Sequence, residues 1–138
     1  MKQKTDGIQI ARERIAHEAD ARTGFLDLGR LGLTALPEEI YKLHHLRSLN
    51  LGRMFLNEKH AWITSSHDIS PNKIRSDLAQ LTSVSKLKML FLGGTDLINL
   101  AGLEKLRKLQ ILDCSETQIS DLSPLSGLQS LQKLDCFG

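Results

Sequence analysis

Aromatic residues supply only 4% of this chain, with one Trp and one Tyr, so whatever core it builds must come from aliphatic side chains. Long apolar runs are missing too. No stretch of eighteen apolar residues occurs anywhere, and Met1–Ile10 holds no run of the length a secretion signal needs. Those absences argue against a membrane span and a leader, and make the cytoplasm the expected location. Charge of one sign does not accumulate: 18 Lys and Arg stand against 16 Asp and Glu for a net charge of +2, interspersed rather than striped, which argues against nucleic acid as a partner. The two cysteines, Cys114 and Cys136, are too few for a disulfide framework and lack the further ligands of a metal site.

Leucine is what the chain has instead, and its spacing is written out twice. Leu87, Leu90, Leu92, Leu97, Leu100, Leu103 and Leu106 are followed, 22 residues later at every slot, by Leu109, Leu112, Cys114, Ile119, Leu122, Leu125 and Leu128. A third copy opens with Leu131, Leu134 and Cys136. Within L-x-x-L-x-L the last two leucines share one face of a short strand, and the residue between them faces the other way. Apolar residues at every third position then suit a 3₁₀ or irregular return segment. This is the signature of a leucine-rich repeat, in which each unit covers its apolar face only by stacking on its neighbours. The expected fold is therefore α/β: a solenoid with a curved parallel sheet, a 3₁₀ or irregular convex side, and a helical cap at the N-terminus. Cys114 and Cys136 replace the second Leu of L-x-L, so both are expected to be small, reduced core residues.

Residues 1–22 read as the capping helix, starting at Thr5 or Asp6 and running to about Ala21. Ile8, Ala11, Ile15 and Ala19 recur on one face, and Arg12, Glu13, Arg14 and Glu18 on the other. A polar face that mixes both signs argues against a membrane surface. Residues 23–138 read as the repeats, with about five strands. Leu26 to Leu49 and Leu28 to Leu51 are each 23 apart, and Pro37 can open a helical turn in Leu36–Ile40. His44 and His45 are expected to be solvated. Leu49 to Leu90 is 41 residues, so 18 or 19 have been inserted, and the spacing places them between Asn57 and Arg75 because Met54 and Leu56 still match Leu31 and Leu33. With Trp62, His60, His67, Asp68 and Pro71, this segment has the composition of a mobile loop dispensable for folding.

No catalytic pattern survives inspection. Glu58, His60, His67 and Asp68 lack zinc-ligand spacing, the serines lack a nucleophile elbow, and Gly93-Gly94-Thr95 lacks the lysine of a phosphate loop. The chain is expected to be a non-enzyme without cofactors.

Thr117-Gln118-Ile119-Ser120-Asp121-Leu122-Ser123-Pro124-Leu125 resembles the T-x-I-x-D-L-x-P-L segment of bacterial 22-residue repeats, as in internalin-type and Roco-type proteins. Leu26-Asp27-Leu28 with Leu36-Pro37-Glu38-Glu39-Ile40 is similar to the opening of bacterial Roco-family repeats. The resemblance implies protein recognition by the repeat surface, or alternatively an N-terminal regulatory fragment of a larger Roco-type GTPase or signalling protein. The slot that usually holds a ladder asparagine holds Leu31, Met54, Thr95 and Thr117.

The outward strand positions predict where a partner would sit. One column reads Phe25, Ser48, Met89, Ile111 and Lys133; the other reads Asp27, Asn50, Phe91, Asp113 and Asp135. Met89, Phe91 and Ile111 form an apolar patch on the concave face, rimmed by Asp27, Asp113 and Asp135, so the expected partner is a protein with an apolar anchor and Lys or Arg beside it. The alternative is that the segment carrying Trp62 covers the patch. The last repeat, from Leu131, presents an uncapped edge and with it an expectation of self-association.

Overall fold

A computed structural model describes residues 7–74 and 78–136 of the chain. Helix α1 (Gly7–Ala21) is followed by strand β1 (Phe25–Asp27), β2 (Ser48–Asn50), β3 (Met54–Leu56), β4 (Trp62–Thr64), β5 (Met89–Phe91), β6 (Ile111–Asp113) and β7 (Lys133–Asp135). Five of these form one parallel sheet in the order β1-β2-β5-β6-β7. Its register pairs Leu26 with Leu49, Leu90, Leu112 and Leu134 in turn, so sequence offsets of 23, 41, 22 and 22 residues all map onto one strand step. The strands return through 3₁₀ turns at Glu38–Lys42, Ala79–Ser83, Leu103–Lys105 and Ser123–Leu125, each adjacent to the next along the convex side. A period of three suits the 3₁₀ turn, which is why apolar residues recur there at that spacing.

The core is a column of leucines between sheet and turns. Leu28, Leu51, Leu90, Leu92, Leu100, Leu103, Leu106, Leu109 and Leu112 are all 0% exposed. Complete burial of one such side chain contributes roughly 1.5–3 kcal/mol. Backbone bonds join consecutive coils just past each strand: Leu28 N donates to Asn50 O at 2.9 Å, Leu51 N to Phe91 O at 2.8 Å, and Leu92 N to Asp113 O at 2.7 Å. The coils approach closely there, since a Cβ on Gly52 would lie 2.4 Å from Gly93 O.

Helix α1 buries Ala11 and Ile15 against the first coil. The expected start at Thr5 or Asp6 lies outside the described residues. Two assignments on this helix change. Ala19 is exposed, and Glu18, expected on the polar face, is 3% exposed. Its carboxylate accepts from Gly24 N at 2.7 Å, Thr23 Oγ1 at 2.6 Å and His45 Nε2 at 2.8 Å. Burial pushes the Glu18 carboxyl up, but Thr23, His45 and Gly24 together outweigh it and hold the group below the usual range. His45 is thus half-buried and engaged, not solvated; His44 is exposed, its Nδ1 3.0 Å from Ser83 O.

The insertion is not a loop. β3 and β4 form an antiparallel hairpin, with Met54, Phe55 and Leu56 opposite Thr64, Ile63 and Trp62. Asn57 makes the turn: its Oδ1 accepts from Lys59 N at 2.9 Å and Ala61 N at 3.0 Å, and His60 takes φ 60°. The return leg then pairs with the first coil, where Ile69 N donates to Arg30 O at 2.9 Å and Gly32 N to Ser70 O at 2.9 Å. Met54 and Leu56 are hairpin residues, so they do not continue the repeat frame. Asn72 and Ile74 continue it instead. Asn72 is 1% exposed; its Nδ2 donates to Leu28 O at 2.9 Å and Leu51 O at 2.8 Å, while its Oδ1 accepts from Leu33 N at 2.8 Å. Ile74 is 2% exposed in the slot that Leu33 and Leu97 occupy elsewhere. The extra segment is therefore Met54–Pro71, and the asparagine missing from position 54 stands 18 residues later at 72.

Candidate protein-binding face

Strand twist and stacking place the two outward columns side by side on the concave face: Phe25, Ser48, Met89, Ile111 and Lys133 in one row, Asp27, Asn50, Phe91, Asp113 and Asp135 in the other. The hairpin lies across this face. Phe55 meets Phe25 with ring centroids 4.7 Å apart, and Trp62 meets Phe91 edge-on at 6.0 Å. Such aromatic pairs contribute about 0.5–1.5 kcal/mol beyond their buried area. Lys133 Nζ lies over the Trp62 ring, 5.7 Å from its centroid.

This overturns part of the expected patch. Phe91 is 0% exposed, Asp27 3% and Asp113 5%, because each is engaged within the chain. Asp27 Oδ1 accepts from Gly29 N at 3.0 Å, Asn50 Nδ2 at 2.9 Å and Ser65 Oγ at 2.9 Å; Oδ2 accepts from Ser66 N at 3.2 Å. An isolated carboxylate could not be buried at acceptable cost, whereas one with donors on both oxygens can. Asp113 Oδ1 accepts from Ser115 N at 3.0 Å and Ser115 Oγ at 2.6 Å. Met89, Ile111 and Asp135 stay half-exposed, and Lys133 and Trp62 are exposed. Asp27 thus anchors the hairpin's return and Phe91 is its seat.

What remains accessible is divided by the hairpin into two clefts. On the C-terminal side, about 370 Å³ is bounded by Met54, Trp62, Asp113, Glu116, Lys133 and Asp135 among others. Arg53 pairs with Glu116 at its edge. On the N-terminal side, about 400 Å³ is bounded by Phe25, Ser48, Phe55, Leu56 and Met89, with Asn57, Glu58 and Lys59 at the turn. Met54, Trp62 and Ile63 are 36%, 38% and 38% exposed on the hairpin itself. Sequence reasoning missed Phe55, Ile63, Ser65 and Asn72. A signal for Asn72 existed: counting back from Leu90 by the distance between Leu31 and Leu49 lands on it.

The Cys114 thiol is not set up as a nucleophile. Both cysteines are free; Cys114 is buried, as expected, and Cys136 is exposed. Burial, with the charges of Cys136, Asp113 and Asp135 adding to it, pushes the Cys114 thiol up to about 11, which keeps it protonated near neutrality. Among the described residues no cluster of three or more His, Cys, Asp or Glu could hold a metal ion, and no helix is long and apolar enough to cross a membrane.

Residues 85–127 and 107–138 match the family described as Leucine Rich repeats, in two overlapping copies. The fold is a leucine-rich repeat solenoid. An internalin of Listeria monocytogenes is similar over 97% of this chain and 36% of its own, at 22% identity and a TM-score of 0.70. A leucine-rich repeat protein of Leptospira interrogans is similar over 100% and 36%, at 23% and 0.58, and the leucine-rich repeat domain of APL1B over 99% and 35%, at 18% and 0.62. At these identities the likeness concerns the fold, and the chain spans about a third of the length of each. No curated protein sequence matches it. Leucine-rich repeat domains are typically protein-interaction modules.

Proposed function

We propose that this chain is a non-catalytic protein-interaction module whose partner seats on the concave face, against the side of the hairpin that carries Trp62. The observation that carries this reading is Trp62 itself: a tryptophan 38% exposed on a fixed hairpin, with Met54 beside the same cleft. Trp and Met are enriched at interfaces, and a large apolar side chain held rigid by its neighbours loses little entropy when a partner covers it. Lys133 and Asp135 bound the rest of that cleft, so the favoured partner presents an apolar anchor with Lys or Arg beside it. Asp135 and Glu116 are the acidic groups that such a cation would meet, while Asp27 and Asp113 act by holding the surface in shape.

Capture of protein from a lysate by the immobilised chain tests this. Trp62→Ala and Asp135→Lys should each weaken recovery of the same partner by about tenfold or more, the scale of an interface hot spot. Lys105→Glu, on the convex side, should leave it unchanged. Equal recovery by all three variants would refute the concave seat.

A further inference from the structure

The cleft beside Trp62 already holds a cation, and the chain itself supplies it. Lys133 Nζ stands over the exposed tryptophan ring, although three carboxylates, Asp113, Glu116 and Asp135, bound the same cleft. Among the described residues it makes an ion pair with none of them. Glu116 is taken by Arg53, and Asp113 accepts from Ser115. Asp135 is half-exposed, and its carboxylate has no ion pair among the described residues. Arg53 and Lys133 are the only cations on the boundary, so the cleft keeps one negative charge in excess even with Lys133 in place. The face of an indole ring is itself electron-rich and attracts cations. Its orientation here is fixed by the edge contact with Phe91, which is 0% exposed.

We infer that this cleft takes an arginine side chain of the partner protein, its guanidinium stacked on Trp62 in the place of Lys133 and paired with the Asp135 carboxylate. Lys133 is the chain's own stand-in for that group. It is exposed, sits on a flexible four-carbon stem and makes no ion pair with a described residue, so it can swing aside. An arginine gains more from the exchange than a second lysine. Its planar, weakly hydrated head lies flat on an aromatic face, and its fork of N–H donors matches a carboxylate, whereas an ammonium offers only the point charge that Lys133 already provides. A neutral apolar side chain would cover the ring and leave the negative excess uncompensated. Because Lys133 and the incoming group compete for one face, Lys133 lowers the apparent affinity by the fraction of time it covers the ring. The inference rests on the reading of the chain as a protein-binding module and names what that module recognises at Trp62.

Trp62 is the only tryptophan, so its fluorescence reports on this cleft alone. The full chain is titrated with N-acetyl-argininamide and, separately, with N-acetyl-lysinamide and N-acetyl-norleucinamide. The arginine probe should change the emission at the lowest concentration, the lysine probe at a higher one, and the uncharged norleucine probe at the highest. Lys133→Met keeps the stem and removes the charge, and should tighten the arginine probe by about two- to fivefold, the scale of one exposed cation–π contact. Asp135→Asn should weaken it by about two- to fivefold, the scale of a surface ion pair. In a Trp62→Leu background, followed by amide NMR, Lys133→Met should bring no gain. A gain of the same size there would mean that Lys133 acts only as a like charge, and would overturn the stacking on Trp62. Equal binding of the arginine and norleucine probes, or of the arginine and lysine probes, would also overturn the proposal, as would no response to any probe at its solubility limit. Probe binding and lysate capture fail separately: loss of capture in Trp62→Ala without arginine binding would leave the module standing and remove only this inference.

Discussion

The two halves of the solenoid hold their coils together differently. From Leu87 onward each coil resembles the next, and its polar side chains bond locally: Thr95 Oγ1 donates to Leu92 O and Thr117 Oγ1 to Cys114 O, both at 2.7 Å, and Asp113 to its own strand end through Ser115. In the first two coils the polar side chains bond across the stack. Asn72 ties Leu28, Leu33 and Leu51 together, Asp27 ties Asn50 to Ser65, and Glu18 ties the helix to His45. A regular stack is held by repetition of one apolar contact, so no single polar group matters much there. An interrupted stack depends on particular residues that bridge the interruption.

The largest effect should come from where the interruption is cut. Deleting Met54–Pro71 joins Arg53 to Asn72 and restores a 23-residue coil, so a cooperative melt should survive. Deleting Asn57–Arg75 instead removes Asn72 and Ile74 together, and calorimetry should show no cooperative transition. If the two deletions melt alike, the assignment of Asn72 to the repeat frame is wrong. Phe91→Ala should cost about 3–5 kcal/mol in urea unfolding, since it empties a buried aromatic site under Trp62. Asn72→Ala should cost about 2–4 kcal/mol because three backbone groups lose their partner. Thr95→Val, its nearest counterpart in the regular half, should cost about 1 kcal/mol or less.

The acid limb sharpens the same contrast. Glu18 is held below the ordinary carboxylate value, so its contribution is present above the unfolded value near 4.5 and is lost as pH falls through the folded one. Stability measured from pH 6 down to pH 3 should therefore fall less steeply in Glu18→Gln than in the wild type, after allowing for the variant's lower starting point. Parallel curves would show that this carboxylate is not differentially stabilised. Among these outcomes the smallest is expected for Trp62→Ala, whose ring is only partly covered: a shift of a few degrees in melting temperature, with the main loss in partner capture.

Much of the architecture was legible because a two-residue alternation and a fixed period are local facts. Leu90, Leu112 and Leu134 announce their strands, and Pro37 its 3₁₀ turn. The hairpin was not legible. Its strands are three residues each, its turn is Asn57–His60 rather than an Asn-Gly pair, and Met54 and Leu56 happen to fit the repeat slots. A coincidence of spacing outranked Asn72, whose role depends on carbonyls 21 and 44 residues away. Glu18 and His45 failed for the same reason, since a hydrogen bond between side chains 27 residues apart leaves no periodic trace. The site is the least legible part: alternation along each strand gives the outward columns, but their exposure depends on the insertion, whose composition is that of a loop while its backbone pairs as a hairpin.

The corner at Gly52 and Arg53 also says how such a molecule can change. Eighteen residues leave the stack there and rejoin it at Asn72, yet the next strand steps onto β2 with the register of its neighbours. The chain can be opened at this corner without altering the pitch of the coil, as a zip can carry a tag between two teeth. The equivalent corners after Leu92 and Cys114 should accept grafted hairpins on the same terms, so that recognition surfaces could be exchanged while the scaffold stays the same.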